Sequence, residues 1–131
     1  MPLWVVRCFC DAHGGALFER EYDAQAVAVR AEFRATLNGL RYQPSIVGWS
    51  RPNGFDRLSG KYRSLGKLRF KVLNVQHRPL GFFGPGQKTF TFLIWATERD
   101  RKYDPPNVCD TALRRMTLVR EDPARAHEFD F

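Results

Sequence analysis

The stretch KLRFKVLNVQHRPLGFFGPG, residues 67–86, decides how the chain folds. Leu68, Phe70 and Val72 alternate there with Lys67, Arg69 and Lys71. Successive side chains of a strand point to opposite faces, so this run presents an oily face and a cationic face. Strands are expected at residues 68–73 and 76–83, with Pro79 forcing an irregularity or an edge position. Gly84-Pro85-Gly86 marks the turn that follows. Arg78 shares the parity of Leu80 and Phe82, so the alternation must break at Pro79 if Arg78 is to join Arg69 and Lys71.

Working outward, KTFTFLIWAT, residues 88–97, is apolar on both faces, as a covered central strand is. After ERDRKYDPP a helix is expected over residues 107–118, with Val108, Ala112 and Met116 as its packed stripe. The polar tail, residues 119–131, is expected to be loosely ordered, with Phe129 and Phe131 able to dock. Upstream, LWVVRCFC (residues 3–10) reads as a first strand ended by Asp11, Gly14 and Gly15. Over residues 16–40 the period changes: Phe18, Tyr22, Ala26, Val29, Phe33, Leu37 and Leu40 recur at steps of three and four, predicting one helix. Residues 41–60, punctuated by Pro44, Pro52, Gly54 and Gly60, predict loops and a short helical turn. Strand, helix, loop, three strands and helix make an α+β domain, and the short links between the last strands favour antiparallel hairpins.

At 131 residues, 44% of them hydrophobic and 14% aromatic, the chain suits a single domain spanning residues 1–131 with a real core. No apolar run approaches a membrane span and no signal-peptide pattern opens the chain, so no membrane partner is expected and the expected address is the cytoplasm. Cys8, Cys10 and Cys109 are an odd set, expected as reduced thiols. Neither a metal nor any other cofactor is expected, since no second ligand pair accompanies Cys8, Cys10 and His13. The net charge of +7 is local: residues 51–103 carry 12 basic and 3 acidic side chains, while residues 1–50 balance at five and five. A cationic surface of this kind favours a polyanion, most often nucleic acid.

Several chemistries lack their residues. GFFGPG has neither the lysine nor the Ser/Thr of a P-loop, no nucleophile-elbow sequence is present, and the three acids of the basic segment are too few for a two-metal nuclease. Arg69, Lys71, Arg78 and Arg99 are the cations placed to converge if residues 68–99 form a meander, and phosphate is the natural ligand of such a cluster.

The motifs LGKLRFKV, VQHRPLGFFGPG and TFTFLIWATERDRKYDPPNVCDTALRRM resemble, in this order, the RelE/ParE toxin superfamily, and within it the phage-derived branch near the HigB toxins. The likeness covers roughly residues 55–118, and the N-terminal elements match by order and length. The resemblance implies a small curved, mostly antiparallel RelE-like sheet with helices on one side and a basic pocket on the other. It also implies a metal-free endoribonuclease that cuts mRNA on the ribosome through attack of the 2′-hydroxyl on the adjacent phosphate.

By position, Arg69, Lys71, Arg78 and Arg99 match the family's catalytic cations. Tyr103 stands nearest the family's C-terminal tyrosine, closer to the arginine than usual and ahead of Pro105-Pro106. Lys61, Arg63, Lys67, Lys88, Arg101 and Lys102 are the accompanying RNA-binding cations. The implied partner is a cognate antitoxin with a helix-turn-helix domain, covering the basic pocket. Two readings stay open beside this one: a ParE-type gyrase inhibitor, and a non-catalytic nucleic-acid or partner-binding module of the same fold.

Overall fold

The computed structural model describes residues 2–131, an α+β arrangement of ten short strands and three α-helices. β1 (Val5–Phe9) is followed by α1 (Leu17–Asp23) and α2 (Val27–Arg41). The single helix expected over residues 16–40 is therefore two. Ala26 adopts an extended backbone (φ −61°, ψ 155°) as the N-cap of α2, although neither glycine nor proline marks the break. β2 (Phe55–Arg57), β3 (Gly66–Leu68), β4 (Phe70–Val72), β5 (Val75–His77), β6 (Leu80–Phe83), β7 (Thr89–Ile94), β8 (Thr97–Arg99) and β9 (Lys102–Asp104) follow. α3 (Val108–Glu121) and β10 (Ala126–Glu128) complete the chain. Among the described residues no helix is long and apolar enough to cross a membrane.

Residues 66–99 form the expected antiparallel meander. A six-stranded sheet runs β10-β1-β7-β6-β3-β2 and a four-stranded one runs β4-β5-β8-β9. Among the described residues only the β1–β7 pair is parallel. Three chain segments run through both sheets, as β3–β4, β5–β6 and β7–β8. Pro79 has no N–H to donate, so the ladder is interrupted beside it while Leu68 N still donates to Pro79 O (3.0 Å). Register is nevertheless unbroken across the interruption, with Lys67 opposite Leu80 and Lys71 opposite Gln76. Leu73 and Asn74, both at positive φ (50° and 67°), make the two-residue turn between β4 and β5.

Each sheet face carries its own core. Leu68, Phe70, Phe92 and Trp95 pack with Phe18 and Tyr22 of α1 and Val29, Phe33 and Leu37 of α2. Leu80, Phe82, Leu93, Ile94 and Ala96 pack with Val108, Ala112, Met116 and Val119 of α3. Helices thus cover both faces, not one, because α3 lies on the same face as the cations of β3–β4. That face is apolar under α3 and polar beyond its edge.

The tail expected to be loose is built into the fold. α3 extends to Glu121, β10 pairs antiparallel with β1, and Phe131 meets Phe33 and Tyr22 edge-on at 4.8 and 4.9 Å. Strands β2, β9 and β10 were not expected from the sequence, each being three residues long with little periodicity to read.

Gly66 and Gly81 of the LGKLRF and PLGFF motifs sit opposite one another in the β3–β6 pair. A Cβ at Gly66 would collide with the Phe55 ring, and one at Gly81 with the Thr91 carbonyl oxygen and the Phe90 ring. Gly81→Ala is therefore expected to cost about 2 kcal/mol or more, since backbone cannot yield as a side chain can. Thermal denaturation should show Tm lowered by roughly 5–15 °C. An unchanged Tm would mean that the strands separate easily there.

Candidate functional site

An irregularity on β7, not one at Pro79, sets an acid among the cations of this face. Leu80 pairs with Ile94 and Gly81 with Phe92, so Leu93 is an inserted residue, a β-bulge. Arg115 of α3 donates to the Leu93 carbonyl (2.8 Å), and Glu21 of α1 accepts from Trp95 N (3.2 Å). Burial pushes the Glu21 carboxyl above its ordinary pKa. The bulge reverses parity, so Phe90 and Phe92 face the α2 side, as does Trp95, while Ala96 and Glu98 face the other. Glu98 is thereby set opposite Gln76 on one side and Tyr103 on the other.

Arg78 needs no break in alternation to reach Arg69 and Lys71, because the unbroken register already places it on their face. It is almost fully buried and ion-pairs through Nε with Glu98 Oε1 at 3.0 Å. Its Nη1 donates to the carbonyls of His77 (2.8 Å) and Phe70 (3.5 Å), and its Nη2 to Gln76 Oε1 (2.9 Å). Most of its five N–H groups are thus engaged within the protein. Lys67 Nζ lies 3.6 Å from the same Glu98 oxygen and donates to the Tyr103 hydroxyl at 2.7 Å. Arg78, which follows β5, forms one connected polar chain with Glu98 of β8, Lys67 of β3 and Tyr103 of β9.

Arg69 and Lys71 differ from these. Among the described residues no carboxylate lies within ion-pairing distance of either head group. Asp56, the acid of β2, contacts Arg51 at 3.9 Å. Arg51, Arg69, Lys71 and Arg78, with Gly54, Phe70 and Gln76, line a concavity of about 290 Å³ that holds no acidic side chain. Such a site attracts an anion, and two of its cations carry charge that nothing in the fold neutralises.

The remaining expected residues divide. Tyr103 joins the cluster through Lys67. Arg99 does not: it has the parity of Thr97, opposite to Glu98, its side chain is 95% exposed, and its nearest acid is Asp100 at 4.0 Å. Lys61 pairs with Asp110 (3.7 Å), and Arg63 donates to the Gly60 carbonyl. Lys88 lies at the far end of β7, donating to the Pro44 carbonyl. Arg101 and Lys102 are exposed at the β8–β9 turn, Arg101 at positive φ (63°). Sequence reasoning missed Glu98, Gln76 and Arg51. Glu98 had a signal, being one of only 3 acids in the basic segment.

His77 faces the α2 side, stacked on Phe70, and its Nδ1 accepts from Trp95 Nε1 (3.0 Å). Burial, with the neighbouring Arg78 charge, holds its pKa below the ordinary value. The unfolded chain takes up this proton near pH ~6.5 and the folded chain only lower, so stability should fall as pH drops below that point. The loss is complete once pH passes the depressed folded value. Denaturant midpoints between pH 7.5 and 5 should show this slope, flattened in His77→Gln. An equal slope in both proteins would assign it to other groups.

The three cysteines are free, and burial pushes the thiols of Cys8 and Cys10 up. His13 is exposed, while Cys10 contacts His127, whose ring meets Glu19. In comparisons with protein-family models, curated proteins and solved structures, nothing matches this chain at a significant level.

Proposed function

We propose that the concavity on β4–β5 binds a phosphate group of single-stranded RNA, and that the chain is a nucleic-acid enzyme. More particularly, it acts as a ribosome-dependent mRNA endonuclease of the RelE/HigB kind, the toxin of a type II pair neutralised by an antitoxin. One observation carries this reading: Arg69 and Lys71, unpaired by any acid, stand beside buried Arg78 around a small hollow with no carboxylate in its lining.

In the reaction, the 2′-hydroxyl gives its proton to solvent water as its oxygen bonds to phosphorus, and the bond to the 5′-oxygen breaks with that oxygen taking a proton from water, leaving a cyclic phosphate and a 5′-hydroxyl. Negative charge grows on the non-bridging oxygens, where Arg69 and Lys71 offer donors already in place. Arg78 orders the pocket, since Glu98, Gln76 and two carbonyls fix its plane. Lys67 donates to the Tyr103 oxygen and so holds that ring in place beside Glu98.

Induced expression without a partner tests the proposal. Growth arrest with translation-dependent cuts in mapped mRNA 5′ ends is expected. Arrest with intact mRNA and inhibited supercoiling would replace this reading with the gyrase one.

A further inference from the structure

A second groove lies along the same strand as the phosphate pocket. It measures about 510 Å³ and is bordered by Asp56, Ser59, Tyr62, Lys67, Tyr103 and Pro106. Lys67 stands in its wall, and Arg69, the next residue on the same face, stands in the phosphate pocket. Two residues of strand span about 6.8 Å, the scale of one nucleotide step in an extended strand. A strand whose phosphate sits between Arg69 and Lys71 therefore places a neighbouring base at this groove.

The groove is built for a base rather than for another phosphate. Tyr62 is fixed by its hydroxyl, which donates to Asp110, and Tyr103 by its bond with Lys67. Two tyrosines held in position provide stacking surface at small entropic cost. Asp56 faces the groove from β2, directly opposite Lys67 in the β2–β3 register. Its Oδ1 accepts from Arg57 N (3.0 Å) and its Oδ2 is 3.9 Å from exposed Arg51, so lone pairs remain on both oxygens.

An ionised carboxylate only accepts hydrogen bonds, which selects among the Watson–Crick edges of unpaired bases. Guanine offers two adjacent donors there, N1–H and the 2-amino group. Adenine and cytosine set an acceptor nitrogen beside their amino group, and uracil flanks its one N–H with carbonyl oxygens. Only guanine meets both carboxylate oxygens without repulsion. The geometry points to this groove as a base-reading subsite in which Asp56 selects guanine next to the bound phosphate. The inference rests on the ribonuclease reading for its ligand class, single-stranded RNA.

The test uses the full chain and short fluorescent oligonucleotides of 2′-O-methyl RNA, which lack the attacking hydroxyl. A uridine tract is compared with the same tract carrying one guanine, adenine or cytosine. By anisotropy the guanine oligonucleotide should bind about tenfold more tightly than the others, the scale of a bidentate base contact. Asp56→Asn should remove that preference, with uridine-tract binding somewhat tightened because a carboxylate beside Arg51 and Lys67 is lost, and Tyr62→Leu should weaken all four alike. Equal affinity for the four, a preference that survives Asp56→Asn, or no binding to any would overturn the subsite. Cleavage maps separate this failure from that of the enzyme reading. Guanine preference in a chain that never cuts removes the nuclease and keeps the subsite. Cuts with no guanine bias, in wild type and Asp56→Asn alike, keep the nuclease and remove the subsite.

Discussion

Replacing Arg69 and Lys71 together by alanine is expected to lower mRNA cleavage by on the order of 10²-fold or more, the scale seen when a transition-state donor is removed. The fold should survive the change, because neither head group is tied to a carboxylate and Lys71 is exposed. Arg69 holds its place through its backbone, whose N–H donates to the Gly54 carbonyl at 2.8 Å, and alanine keeps that bond. Circular dichroism and Tm should therefore match wild type while toxicity is lost. Toxicity at the wild-type level would move the reaction away from the β4–β5 hollow.

Glu98→Ala should have the largest effect on stability. It leaves Arg78 buried with its Nε unpaired and takes away the acid nearest Lys67. Removing one partner of a buried pair costs about 3 kcal/mol or more, chiefly the desolvation of the charge left behind. Denaturant titration should show that loss, and Glu98→Gln should recover most of it, since the amide oxygen still accepts from Arg78 Nε. Because Arg78 orders the hollow, Glu98→Ala should also reduce cleavage in whatever protein remains folded. A Glu98→Ala protein as stable as wild type would mean that water, not Glu98, satisfies Arg78. These two substitutions separate the charges offered to a substrate from those spent on building the site.

The alternation of Leu68, Phe70 and Val72 with Lys67, Arg69 and Lys71 was legible in the sequence, as was the meander, because period-two patterning survives in a strand with one polar face. The bulge at Leu93 was not. KTFTFLIWAT is apolar on both faces, so an inserted residue leaves no trace in its pattern. That insertion decides the site, since it turns Glu98 toward Arg78 and sends Arg99 to the opposite face, which undoes the expected four-cation cluster. The parity problem at Arg78 had a different resolution from the one expected at Pro79. Leu80 and Arg78 share a face, and α3 covers only the first of them. The gap between α1 and α2 lacked a breaker. Phe129 and Phe131 stood out in the sequence as able to dock, but the three-residue β10 beside them left no pattern to read.

The most direct measurement is primer extension on mRNA in a translating extract supplied with the purified chain. Discrete, translation-dependent cuts whose upstream fragments end in a cyclic phosphate are expected, absent with the Arg69→Ala, Lys71→Ala protein. Intact mRNA with the wild-type chain, or the same cuts with both proteins, would contradict the ribonuclease reading.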